Sequence, residues 1–134
     1  MPTKPFALTL VLSFTCLFAV QESRAGNESR SAAYPLANGL IEVVADFSEN
    51  AIYWCGAGDY ALRRLSKRGT ERIYVWQGPA ASTARPGERA VTFGFERPPG
   101  VEQVNSLTND VSIVGNSLSV AQAKKTCDER TSSG

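Results

Sequence analysis

The sequence predicts an α+β domain: a small, mostly antiparallel sheet with one main helix packed on it and a single disulfide. Three observations carry this reading. Apolar residues alternate with period two in several short segments, and one longer segment between the first two of these has helical spacing. Two cysteines, Cys55 and Cys127, remain once an N-terminal leader is set aside.

The leader comes first in the chain. Lys4 precedes a run from Phe6 to Val20 that holds no charge, and Ser23-Arg24-Ala25 closes it before Gly26. A basic start, a short apolar run and a small-residue end are the layout of a secretory signal peptide, so residues 1–25 are expected to be removed. The run is shorter than the roughly 20 apolar residues that a membrane-crossing helix needs, and no transmembrane segment is expected after cleavage. About 109 residues then remain, periplasmic or secreted, enough for one domain with a modest stability margin. Cys16 leaves with the leader. In that compartment disulfides form and persist, and Cys55 and Cys127 allow only one pairing. Closing so long a loop contributes about 4 kcal/mol in the chain-entropy model.

Residues 26–38 are rich in Ser, Ala, Asn and Gly and poor in apolar side chains, which predicts a disordered tether before a domain at 39–127. From Leu40 the chain alternates. Ile41, Val43, Ala45 and Phe47 fall on one side and Glu42, Val44 and Asp46 on the other, predicting a half-buried first strand. Ser48 and Glu49 offer a helix start, and Ile52, Cys55, Leu62 and Leu65 share much of one helical face in a segment running to Arg68. Gly69 is a plausible C-cap after the basic pair Lys67-Arg68. Gly56 and Gly58 each cost about 1 kcal/mol in a helix interior relative to Ala, which points to irregularity or close packing there.

Arg72 to Gln77 is β-branched or aromatic at nearly every position, predicting a central strand covered on both faces. The proline- and glycine-containing segment Gly78–Glu88 reads as a long connection, and alternation resumes from Arg89 to Phe95 with Val91, Phe93 and Phe95 inward. A wide hairpin follows from these two strands. Pro98-Pro99-Gly100 stops the second of them. Beyond it, Val111 to Val120 suggests a short strand pair around Gly115-Asn116, then a helical turn or two from Ala121 to Cys127 and a disordered polar tail at 128–134.

Removal of the leader takes away Lys4, Arg24 and Glu22 and leaves twelve basic and twelve acidic side chains. That neutral balance argues against a nucleic-acid partner, which calls for a strong basic excess. The chain contains no histidine. Ser-His-Asp and Cys-His catalysis and His-ligated zinc are therefore excluded. The acidic residues are scattered singly, without the spacing of a calcium loop, and no metal is expected.

Cys55-Gly56-Ala57-Gly58-Asp59 looks like the glycine-rich turn of methyltransferases, but the preceding positions hold Ile52 and Trp54 instead of the acidic residue and glycine of that family. The chain has no room for repeated βαβ units, and no cofactor is expected. Arg63, Arg64, Lys67 and Arg68 form the one basic cluster, at spacings that set them along one side of a helix. Tyr53, Trp54, Tyr60, Tyr74 and Trp76 form an aromatic set; core packing accounts for most such sets, and an open groove for some. The candidate binding surface is accordingly Tyr74 and Trp76 with Arg63, Arg64, Lys67 and Arg68.

Taken together, the run Tyr53 to Ala61, then Arg72-Ile73-Tyr74-Val75 and Ala90-Val91-Thr92-Phe93, resemble an uncharacterised group of short exported alphaproteobacterial proteins. The resemblance spans mainly Ile41 to Phe95. It implies a bacterial envelope location and carries over no activity, substrate or catalytic residue.

The leading expectation is a non-catalytic periplasmic or secreted module, not an enzyme, that binds a protein or envelope component. Two others stand beside it. One is a small envelope enzyme using carboxylates or Cys55; the other is a protein that adheres to anionic surfaces through the basic helix.

Overall fold

The structure is a computed structural model that describes residues 26–46, 48–104 and 108–129. The expected signal peptide, Phe47 and the end of the polar tail from residue 130 lie outside the described residues. Five strands form one antiparallel sheet: β1 (Ser31–Pro35), β2 (Ile41–Ala45), β3 (Arg72–Ala81), β4 (Arg89–Gly94) and β5 (Ser117–Ser119). Their order is β1-β2-β4-β3-β5. Helix α1 (Asn50–Arg63) packs on one face, with the short α2 (Val120–Lys125) against it. The α+β class and the Cys55–Cys127 disulfide are as the sequence predicts.

Alternation in the strands puts Ile41, Val43, Ile73, Val75, Val91 and Phe93 on the helix side, all buried. Trp54 of α1 meets Phe93 at 4.9 Å between ring centroids, and its indole N–H donates to the Asn109 carbonyl at 2.7 Å. The core is thus aromatic at its centre, with its one polar ring atom satisfied. Ten of the fourteen residues of α1 are buried, because the sheet covers one side of the helix and α2 with the following turn covers another. A helix enclosed on two sides has no clean amphipathic pattern.

Several sequence expectations need correction. The 26–38 stretch is not a tether: Asn27–Arg30 forms a 3-10 turn and Ser31–Pro35 pairs with β2 in register Ser31↔Ala45 to Pro35↔Ile41. Its small side chains suit an edge strand beside a helix, where composition alone reads as linker. Helix α1 ends at Arg63 and not Arg68, since Ser66 takes a left-handed φ of 52° that turns the chain away. β3 lies inside the sheet between β4 and β5, as expected, but only its α1 face is fully buried, Tyr74 and Trp76 on the other face being half-buried, and it continues to Ala81. A single short strand, β5, replaces the expected pair.

Candidate functional site

The two helix glycines are contact points. A Cβ on Gly56 would stand 2.6 Å from both Ser31 Oγ and Val43 Cγ1, and one on Gly58 would stand less than 3 Å from the backbone of Ala123 and Lys124. Glycine at these two positions lets α1 approach the β1–β2 pair on one side and α2 on the other. The glycine-rich turn noted in the sequence is therefore mid-helix packing. Cys55, between these contacts, is fully buried and bonded to Cys127, which ties α1 to the C-terminal turn.

Beyond Gly56 a cleft of about 340 Å³ opens between β1 and α1. Ser31, Ala32 and Ala33 line it on the sheet side, and Gly56, Asp59, Tyr60, Arg63 and Arg64 on the helix side. The helical residues follow at i, i+3, i+4, i+7 and i+8, a single stripe. Glu28, from the turn that precedes β1, also lines the cleft.

The charges in this region are interlocked. Lys124 Nζ lies 2.9 Å from Asp59 Oδ1 and 3.0 Å from Glu28 Oε1, and Arg63 Nε lies 2.9 Å from Asp59 Oδ1. Burial pushes the Lys124 ammonium toward neutrality, but its hydrogen bonds to Asp59 and Glu28 outweigh this and hold its pKa above 10.5. These two cations and two carboxylates cancel. Arg64 stands at the rim as the excess charge, and no described carboxylate pairs with it. Glu28 Oε2 and Ser31 Oγ are buried with no hydrogen-bond partner.

The backbone of β1 contributes as well. Arg30 accepts from the Asp46 N–H at 2.9 Å, and Leu36 donates to the Leu40 carbonyl at 2.8 Å. With the pairs Arg30–Asp46 and Leu36–Leu40 bonded, antiparallel alternation turns the main-chain groups of Ala32 and Tyr34 toward β2 and those of Ser31 and Ala33 away from it. Their N–H and C=O groups therefore face the free edge of the sheet. Pro35, which has no N–H, ends that edge.

A second polar feature lies on the opposite face of the sheet. Glu42 on β2 is only 3 % exposed and accepts from the Ser82 hydroxyl, the Thr83 N–H and hydroxyl, and the Ala84 N–H. The loop between β3 and β4 folds over it, and Arg85 reaches on to the Tyr34 hydroxyl at 3.1 Å. This is a closed structural anchor: the carboxylate's bonds all go to the chain itself.

The predicted surface residues are dispersed. Arg63 and Arg64 are at the cleft, Lys67 lies over the Phe95 ring at 4.6 Å, and Arg68 sits in the turn before β3 with its N–H on Glu71. Tyr74 and Trp76 are half-buried on the sheet face away from α1, where Trp76 donates to the Glu96 carbonyl and covers Gly94. Tyr74 lines a separate cleft with Arg72 and Arg97. Tyr53 and Trp54 are core. The sequence reading missed Glu28, Ser31 and Ala33, all within the expected tether; the available signal was Ser-Ala-Ala-Tyr-Pro, a short strand with proline at its end.

Among the described residues, Glu28 with Cys55 and Cys127 is the one group of three potential metal ligands, their donor atoms within 4.8 Å of one another. The bridged sulfurs carry no thiolate charge and are not ligands in this state. The same bond leaves Cys55 without the free thiol that a nucleophile requires. No described helix is long and apolar enough to cross a membrane. Comparisons with protein-family models, with curated proteins and with solved structures returned no match.

Proposed function

We propose that this chain is a non-catalytic binding module, periplasmic or secreted, whose ligand seats in the cleft between β1 and α1. The observation that carries this reading is the cleft's composition. Its two walls differ in kind, one a sheet edge and the other a helix stripe ending in Arg63 and Arg64, and two of its lining residues, Glu28 and Ser31, each carry a buried polar atom without a partner. Concave sites with a few convergent polar groups are where ligands bind. The disulfide in so small a domain supports an oxidising compartment. Adhesion to anionic surfaces through one basic helix face has less support, because Arg63 is engaged with Asp59 and Lys67 with Phe95.

Site-specific photocrosslinking in the native host tests the proposal. A photoreactive side chain at Tyr60 or Arg64, on the helix wall of the cleft, is expected to give a defined adduct, and one at Thr83, across the sheet, to give none. Adducts confined to Tyr74 and Trp76 positions would move the binding face to the other side of the sheet.

A further inference from the structure

Resting on that reading, we infer that the ligand of the cleft is an extended segment of a partner protein that carries an acidic side chain and adds to β1 as a sixth strand. Three features of the molecule converge on this ligand.

The first is the sheet edge. Ser31 and Ala33 present their backbone donors and acceptors outward, and the strand is flanked at close range by α1 through the Gly56–Ser31 contact. An unpaired edge beside a helix is the geometry in which a peptide backbone adds to a sheet while its side chains meet the helix. Edges that are not used are commonly blunted by lysines, bulges or a covering element. Here β1 is regularly paired on one side, its register with β2 is unbroken, and its side chains from Ser31 to Ala33 are small and uncharged. Pro35 confines the usable edge to its first part, room for about three residues at roughly 3.3 Å each.

The second is charge. Glu28, Asp59, Arg63 and Lys124 neutralise one another, which leaves Arg64 at the rim as the group that seeks an anion. Guanidinium groups pair with carboxylates in a two-pronged geometry, so an aspartate or glutamate one residue off the strand axis fits it. A basic ligand would meet Arg64 as a like charge.

The third is the pair of unpartnered atoms. Glu28 Oε2 accepts and Ser31 Oγ both accepts and donates, both residues line the cleft, and a buried acceptor left unpaired carries a desolvation cost until a donor arrives. A ligand that brings hydrogen-bond donors along its length, as a peptide backbone or a serine or threonine side chain does, offsets that cost. A purely apolar ligand leaves it standing.

The test uses a displayed library of random heptapeptides against the mature protein. Acidic sequences are expected to be enriched, and a synthetic peptide from that pool is expected to lose at least tenfold in affinity when alternate backbone nitrogens are methylated. Methylation acts on the ligand, so it reads strand addition whether or not a protein variant folds. On the protein side, Ala33→Pro removes an outward donor and spares the β2 ladder, with an expected tenfold loss; Arg64→Glu is expected to reverse the preference toward basic peptides. Binding that is indifferent to methylation and to Ala33→Pro overturns the strand model while the cleft remains a binding site. A dimer abolished by Ala33→Pro makes a second copy of this chain the occupant and overturns the inference. No enrichment, with no adducts at positions 60 and 64, removes both the inference and the reading on which it rests.

Discussion

Glu42 on β2 and Ser82, at the start of the β3–β4 loop, are joined by a hydrogen bond in which the buried carboxylate accepts from the hydroxyl. Three further donors from Thr83 and Ala84 complete the cage. Burial pushes the Glu42 pKa up, but the Ser82 bond and the backbone and hydroxyl bonds of Ala84 and Thr83 outweigh it, so the net shift is below the ordinary 4.5. A depressed folded pKa contributes stability that is fully present above 4.5 and disappears as pH falls through the folded value. Glu42→Gln is therefore expected to cost about 1–3 kcal/mol near neutrality, since an amide presents its own N–H groups to donors. It is also expected to flatten the acid limb of the stability curve, as read by urea denaturation from pH 7 to pH 3. An acid limb identical to wild type would show that the cage is not set by ionised Glu42.

The helix glycines make an ordered pair. At Gly58 an added methyl meets the α2 backbone, which cannot rotate aside, whereas at Gly56 it meets the side chains of Ser31 and Val43. Helix propensity alone favours Ala over Gly by about 1 kcal/mol. Overpacking typically costs about 1–3 kcal/mol, more where the obstacle is backbone. Gly58→Ala is thus expected to lower the melting temperature clearly and Gly56→Ala to lower it less. Equal or reversed shifts would place the tight α1–α2 contact elsewhere.

Which parts of the fold were legible follows from how locally each is determined. The Ile41–Ala45 strand, the Arg89–Gly94 strand and the start of α1 are written in short-range alternation and spacing, and their positions match closely. β1 was not legible because an edge strand with Ser-Ala-Ala at its start buries little and lacks the β-branched signature. Glu42 falls on the polar side of an alternating strand and reads as solvent-facing; the loop that covers it begins forty residues later. The overlong helix has a similar cause. Lys67, Arg68 and Gly69 supply a good helix ending, yet the left-handed turn at Ser66 has already diverted the chain. Of the candidate site, Arg63 and Arg64 were visible as a basic pair, but their partner wall on β1 depends on pairing and was hidden.

The Cys55–Cys127 bridge links residues 72 apart and is buried at both ends. In the chain-entropy model such a loop restricts the unfolded ensemble by about 4 kcal/mol. Alkylation of the exported, unfolded protein followed by intact mass is expected to detect no free thiol before reduction and two after it. The Cys55→Ala, Cys127→Ala double variant is expected to lose about 2–5 kcal/mol. Two free thiols before reduction would return Cys55 to consideration as a reactive group.

Lys124 holds two carboxylates from two other elements, Asp59 on α1 and Glu28 in the turn before β1, and its side chain is 29 % exposed. Removing the cation leaves both carboxylates, each 12 % exposed, close together, with Arg63 alone among the described residues still paired to Asp59. Breaking a buried pair from one side costs about 3–5 kcal/mol, and partial exposure here places Lys124→Met near or below the lower bound. Adding Asp59→Asn to Lys124→Met removes one of the stranded charges, so the double variant is expected to be more stable than the sum of the two single losses predicts. The pH dependence has a definite sign: Lys124's raised pKa contributes stability that is present below 10.5 and is lost as pH rises through the folded value. Guanidinium denaturation would screen the ion pairs, so urea is the appropriate denaturant. Strict additivity of the two substitutions would mean that Lys124 and Asp59 do not interact in solution, and the charge balance that singles out Arg64 would then have to be redrawn.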